Sequence, residues 1–281
     1  MNTLKVGLLL AGLTGLFVAV GFAFGGTTGM IIAFTLAVLM NFITYWNSDK
    51  LVLKMTRAIP VSPADAPEIH AMVEELARRA NIPKPAVYVV NDPSPNAFAT
   101  GRNPANAAVA VNTGLIDLLN GDEVFGVIAH EIAHIKHRDT LTMTVTATIA
   151  GAITMIANIG QLFFFFGGND EEGGNPIGAL FMLFLAPLAA TIIQLAVSRA
   201  REYEADKLGA ELAGTPMGLA NALLKLERGI ARIPGHATPA TASLYIANPM
   251  RKMGGLANLF MTHPPIEERV RRLQQLPNRD W

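Results

Sequence analysis

Between Lys5 and Asp49 the chain carries no charged side chain, and a run of that length constrains the fold more than any other feature. One bilayer crossing takes roughly 20 apolar residues, so the run can cross twice, with its break at Gly25-Gly26-Thr27-Thr28. The rival reading is a cleaved signal peptide. Its apolar region would be about 7 to 15 residues long, whereas here the apolarity continues to Trp46, which favours two spans. Composition points the same way, because 51% hydrophobic and 16% charged residues are too apolar and too charge-poor for an average soluble domain.

Two further uncharged runs, between Asp139 and Asp170 and between Glu172 and Arg199, flank the polar loop Gly167 to Gly174 and predict a second membrane hairpin. A buried helical hairpin inside a soluble core is the alternative, kept open by Thr140, Thr142, Thr144, Thr146 and Gln194. If all four segments cross, every Lys and Arg lies on one side. The charges beside the span ends, Lys5, Lys50, Lys54, Arg57, Lys136, Arg138, Arg199 and Arg201, then place both termini and both polar regions in the cytoplasm. Net charge is zero, which gives no electrostatic reason to expect a nucleic-acid partner. No cysteine is present, so any catalytic metal must be held by His, Asp or Glu.

The polar region after the first spans predicts an amphipathic helix over Ser62 to Ala80, with Ile69, Met72, Val73 and Leu76 on its apolar face. Ala86 to Val90 and Ala107 to Val111 read as short strands, hence a small sheet beside helices. Asp122 to Asp139 reads as one helix with Asp122 as its N-cap.

That helix carries His130-Glu131-Ile132-Ala133-His134. Residues four apart share a helix face, so both imidazoles can reach one zinc ion while Glu131 sits beside the metal, placed to accept a proton from an attacking water. A catalytic zinc takes three protein ligands and keeps one position open. Candidates for the third are His137, Glu202, Glu204, Asp206 and His263. His137 would crowd the same short helix and reads as solvated beside Lys136 and Arg138. Glu202 and Asp206 return from the second hairpin on one helix face, which suits one carboxylate on zinc and the other accepting a hydrogen bond from a ligand imidazole. Glu204 points about 160 to 200 degrees away from that face. Glu267, Glu268, Arg269, Arg271 and Arg272 read as the charged face of a closing helix, with no chemistry implied.

His-Glu-Ile-Ala-His, the later Ser198-Arg199-Ala200-Arg201-Glu202-Tyr203-Glu204-Ala205-Asp206, Pro95 to Ala99 before them and Thr262-His263-Pro264-Pro265 after them together resemble the HtpX membrane metalloproteases, relatives of the CAAX prenyl proteases. The resemblance covers nearly the whole chain. It implies that Glu202 is the third ligand of one zinc ion per chain, supported by Asp206. It further implies that Asn96, Ala97, Phe98 and Ala99 lie beside the substrate cleft, and that His263 approaches it to hydrogen-bond the oxyanion. Misfolded or damaged membrane proteins are the substrates it implies, in a quality-control role at the bacterial inner membrane.

The expected fold is therefore mainly α: two N-terminal spans over 1–48, a cytoplasmic region over 49–139 with the His-Glu-x-x-His helix, a membrane hairpin over 140–198, and a second cytoplasmic region over 199–281. The cytoplasmic parts would join into one zincin-like α+β domain. Charged residues flank the motif, which disfavours a protease cutting inside the bilayer. A zinc-binding or transport protein without hydrolysis predicts ionisable ligands within the spans, and the spans have none.

Overall fold

The computed structural model describes residues 2–146, 199–232, 244–246 and 264–278. The chain opens with a long helix, α1 (Asn2–Trp46), broken by non-helical backbone at Gly25 and Gly26, where the sequence placed the turn between spans. Its halves run antiparallel. Backbone meets backbone near Gly21 and Gly29, and Asn41 Nδ2 donates to the Leu10 carbonyl at 3.2 Å and to Thr14 Oγ1 at 2.8 Å. Small residues and a shared polar bond at the crossing are how helices associate where surrounding lipid removes the hydrophobic drive.

Among the described residues one helix, Gly25–Trp46 (22 residues), is long and apolar enough to cross a membrane, and Val6–Ala19 is a shorter apolar helix beside it. The second expected hairpin falls mostly on 147–198, outside the described residues.

After α2 (Ser48–Met55) come β1 (Ile59–Pro60), α3 (Pro67–Ala80), β2 (Ala86–Val90), β3 (Ala97–Gly101) and β4 (Ala107–Asn112). The four strands form one sheet in the order β1-β2-β4-β3, with β2 parallel to β4 and the outer strands antiparallel to their neighbours. Strand periodicity divides its faces. Val87, Ala97, Ala99, Val109 and Val111 enter the main core, while Val90, Phe98, Ala108 and Ala110 pack on Val52, Leu53 and Leu244.

Helices α4 (Thr113–Leu118) and α5 (Gly121–His137) follow, and a helical stretch over 140–146 that we call α6 continues from α5. Beyond the undescribed segment lie α7 (Arg199–Ala213), α8 (Met217–Arg232) and, further on, α9 (Ile266–Leu273).

One local expectation changes. The N-cap of α5 is Asn120 rather than Asp122: its side chain accepts from the Glu123 N–H while Glu123 bonds back to the Asn120 N–H. This reciprocal box satisfies two otherwise orphaned donors, and Asp122 lies inside the first helical turn instead. The threonines that kept a buried second hairpin open, Thr140, Thr142, Thr144 and Thr146, are buried in α6. Thr140 Oγ1 donates to the Gly101 carbonyl at 2.9 Å and Thr144 Oγ1 lies 3.0 Å from Thr100 Oγ1, so α6 is stitched to the end of β3.

Candidate metal centre and active site

Helix α5 is the buried axle of the catalytic region, packed by α3, α7, α8 and the sheet. Helix α7 approaches it at Gly209, where a Cβ would stand 3.0 Å from His130 N and Cα. A larger residue there would push the two helices apart. Glu202 lies two turns back along α7, about 10 Å, and the close crossing brings its carboxylate over the two histidines.

His130, His134 and Glu202 are 1%, 2% and 1% exposed. The two Nε2 atoms lie 3.1 Å apart, with Glu202 Oε2 at 3.7 Å from His130 Nε2 and Oε1 at 3.6 Å from His134 Nε2. A tetrahedral ion about 2.1 Å from each donor sets the donors roughly 3.3 to 3.4 Å apart, and the three observed separations bracket that value. The donor set therefore fits a metal ion. Burial lowers the His130 pKa to about 4. Burial acts in the same sense on His134, but its bond to Asp139 and the charges of Glu202 and Glu131 carry it to about 9. Metal binding needs both rings unprotonated at Nε2, so metal affinity rises with pH.

Each histidine is held from behind. Asp206 Oδ1 lies 3.0 Å from His130 Nδ1, and Asp139 Oδ2 lies 3.3 Å from His134 Nδ1. A carboxylate on Nδ1 fixes the tautomer and turns Nε2 toward the ligand position. Each carboxylate has its own guanidinium. Arg269 grips Asp206 with Nε at 2.8 Å and a terminal nitrogen at 2.7 Å, and also donates to the Ile246 carbonyl at 2.9 Å. Arg201 sits 3.0 Å from Asp139 Oδ1.

Arg269 corrects the sequence reading of a solvated charged face, for it is fully buried. The signal was present in the spacing. Arg269 lies three residues after Ile266 and four before Leu273, on the apolar stripe of α9. Asp139 was read only as a flanking charge. Five residues past His134, it is brought round by the left-handed turn at Arg138 (φ 59).

Glu131 is buried beside His134 and Glu202. Burial pushes its carboxyl up to about 7, Glu202 adds to the rise, and His134, the Ala99 N–H and Arg269 oppose it. A carboxyl balanced near neutral pH can both take and return a proton. His137 and Glu204 are exposed, as expected, and Asp206 supports His130 from the position the sequence offered it.

The Asn96 to Ala99 segment forms the start of the outer strand β3, but its side chains face inward. Ala97 and Ala99 enter the main core and Phe98 the opposite one, while Asn96 bonds Leu244 and Ile246. What they offer at the site is backbone: the Ala99 N–H donates to Glu131. His263 lies outside the described residues.

A His-Glu-x-x-His helix crossed by a carboxylate-bearing helix, with a sheet edge alongside, defines a metallopeptidase. The family model for peptidase family M48 matches residues 63–276, and the chain belongs to that family. Within it the chain is similar to protease HtpX homologues of Burkholderia ambifaria, strains MC40-6 and AMMD, each 52% identical over 280 residues, covering 98% of this chain and 97% of the relative. These relatives identify it as an HtpX-type membrane metalloprotease. The crystal structure of S. mikatae Ste24p shares the fold, with a TM-score of 0.51 at 16% identity over 97% of this chain; the chain spans 64% of that one.

Proposed function

We propose that the protein is a zinc-dependent endopeptidase of a bacterial inner membrane, acting on unfolded or damaged membrane proteins at the cytoplasmic surface. The observation that carries this reading is the buried triangle of His130, His134 and Glu202 with Glu131 beside it. Nitrogen and carboxylate donors at tetrahedral spacing favour zinc. When bound, the ion supplies Lewis acidity to a carbonyl oxygen and to a water. Glu131 takes the proton from that water and returns it to the leaving amine, a role its raised pKa suits. Asp206 and Asp139 hold the two imidazoles in the orientation this requires. An extended substrate would lie along the outer edge of β3 and pair with its backbone. His263 steadies the developing oxyanion.

We read spans over 1–48 and 140–198, with 49–139 and 199–281 together in the cytoplasm. The basic residues at the span ends and the 22-residue apolar helix Gly25–Trp46 support it. Lipid and polypeptide are the partners this architecture serves.

Digestion of casein and of a model membrane protein by the purified chain tests the proposal. Removing zinc with a chelator should lower hydrolysis at least about a hundredfold, and stoichiometric zinc should restore it. Hydrolysis unchanged by chelation would contradict it. Zinc bound without any hydrolysis would favour a non-hydrolytic zinc protein instead.

A further inference from the structure

The β3–β4 hairpin touches two distant parts of the molecule. In the middle of β3, the Ala99 N–H donates to Glu131. At the hairpin tip, Arg102 donates to the Trp46 carbonyl at 3.0 Å and lays its guanidinium 5.1 Å from the Trp46 ring centroid. Trp46 is the last residue of the apolar helix and is 48% exposed, with Phe42 and Tyr45 around it. An aromatic cluster at a span's end marks the level of the lipid headgroups. A cation on the helix's final carbonyls is favoured by both the orphaned acceptor and the dipole.

Arg102 is not a loose surface side chain. It also donates to Asn106 Oδ1 at 3.1 Å, and Asn106 is held by Asn103 across a single 3-10 turn. Gly101 makes that tight turn possible: its φ is +130, and a Cβ there would collide with the Asn106 carbonyl. Arg102 follows Ala99 by only three residues, at most about 10 Å of chain. The strand flanking the catalytic glutamate is thus fastened, at short and fixed range, to the end of the helix read as a membrane span.

We infer that Arg102 is a positioning residue that docks the β3 edge onto Trp46 and so sets the height of the cleft above the bilayer, making substrate bonds a few residues outside a membrane span the preferred cuts. The inference rests on the proposed function and on α1 crossing the membrane. Arg102 touches neither metal ligand nor Glu131, so its loss should change where and on what the enzyme cuts rather than whether it cuts.

The test uses the full zinc-loaded chain in liposomes. It is given casein and a series of single-span substrates whose cleavable segment sits at increasing distance from the span. The wild type should show a preferred distance. Arg102→Ala should flatten that preference and lower kcat/KM on the best membrane substrate about tenfold, with casein cleavage within twofold of wild type. Arg102→Lys should recover part of the preference. Trp46→Leu, which removes the ring but keeps the carbonyl that Arg102 bonds, should repeat part of the loss, and the double variant should lose no more than Arg102→Ala alone.

A flat distance profile in the wild type, equal losses on both substrates, or additive losses in the double variant would each overturn the inference. Should Arg102→Ala fail to accumulate, Arg102→Lys and Trp46→Leu decide by the same readouts. Wild-type enzyme inactive on both substrates would fail the proposed function itself, a result separate from any change in distance preference.

Discussion

Glu131→Gln should lower peptide hydrolysis by about two to four orders of magnitude while leaving bound metal at the wild-type level. The amide has nearly the same shape as the carboxylate and can still accept the Ala99 N–H through its oxygen, so the buried pocket keeps its packing. What is lost is the proton acceptor beside the ligands, whose pKa burial has raised to about 7. The substitution separates proton transfer from metal binding, because the group that could hold the ion is His130, His134 and Glu202, without Glu131. Single-turnover peptide cleavage read together with metal content checks the expectation. Undiminished hydrolysis in a metal-loaded variant would remove Glu131 from the mechanism.

Arg269→Met should destabilise the fold by about 3 to 5 kcal/mol, the usual cost of stranding one partner of a buried pair. Arg269 is fully buried and forks onto Asp206, which itself supports His130. Methionine fills much of the volume, so the loss reports on charge rather than on a cavity. The pH dependence has a defined sign. Burial would raise the Asp206 pKa, but Arg269 and His130 outweigh it and hold the carboxyl at about 2, against an ordinary 3.8. Stability from a lowered carboxyl pKa is fully present above about 3.8 and is lost as pH falls through about 2. The difference between wild type and variant should therefore shrink as pH falls below about 4, where the wild type begins to lose this contribution. Thermal unfolding in detergent across that range measures it, and a variant melting within a degree or two of wild type would show that Arg269 carries no such load.

How much of this was legible in the sequence depended on how strongly each element's pattern spoke. The His130 helix and the Glu202 helix announce themselves through spacing four apart, and the structure brings their side chains to one point. The break at Gly25-Gly26 was equally plain, because nothing but a turn explains two glycines inside so long an apolar run. The strand β3 was not visible as a strand: Ala-Phe-Ala-Thr-Gly has weak strand preference, and its place in the sheet comes from pairing with β4. Arg269 was hidden among Glu267, Glu268, Arg271 and Arg272, where composition suggests solvent and only the apolar spacing shows which member turns inward. Asp139 could not be assigned to His134 from spacing alone, since the contact depends on a left-handed turn at an arginine. The carboxylates that aim the histidines were thus harder to read than the histidines themselves.

The most direct test is the metal content of the purified chain and of two variants on α7. Glu202 is buried over the histidines, and Glu204 is exposed on the other face of the same helix. Elemental analysis should find one zinc per chain in the wild type and in Glu204→Gln, and a strongly depleted ion in Glu202→Gln. Full zinc in Glu202→Gln, or a chain that takes up no zinc at all, would contradict the account.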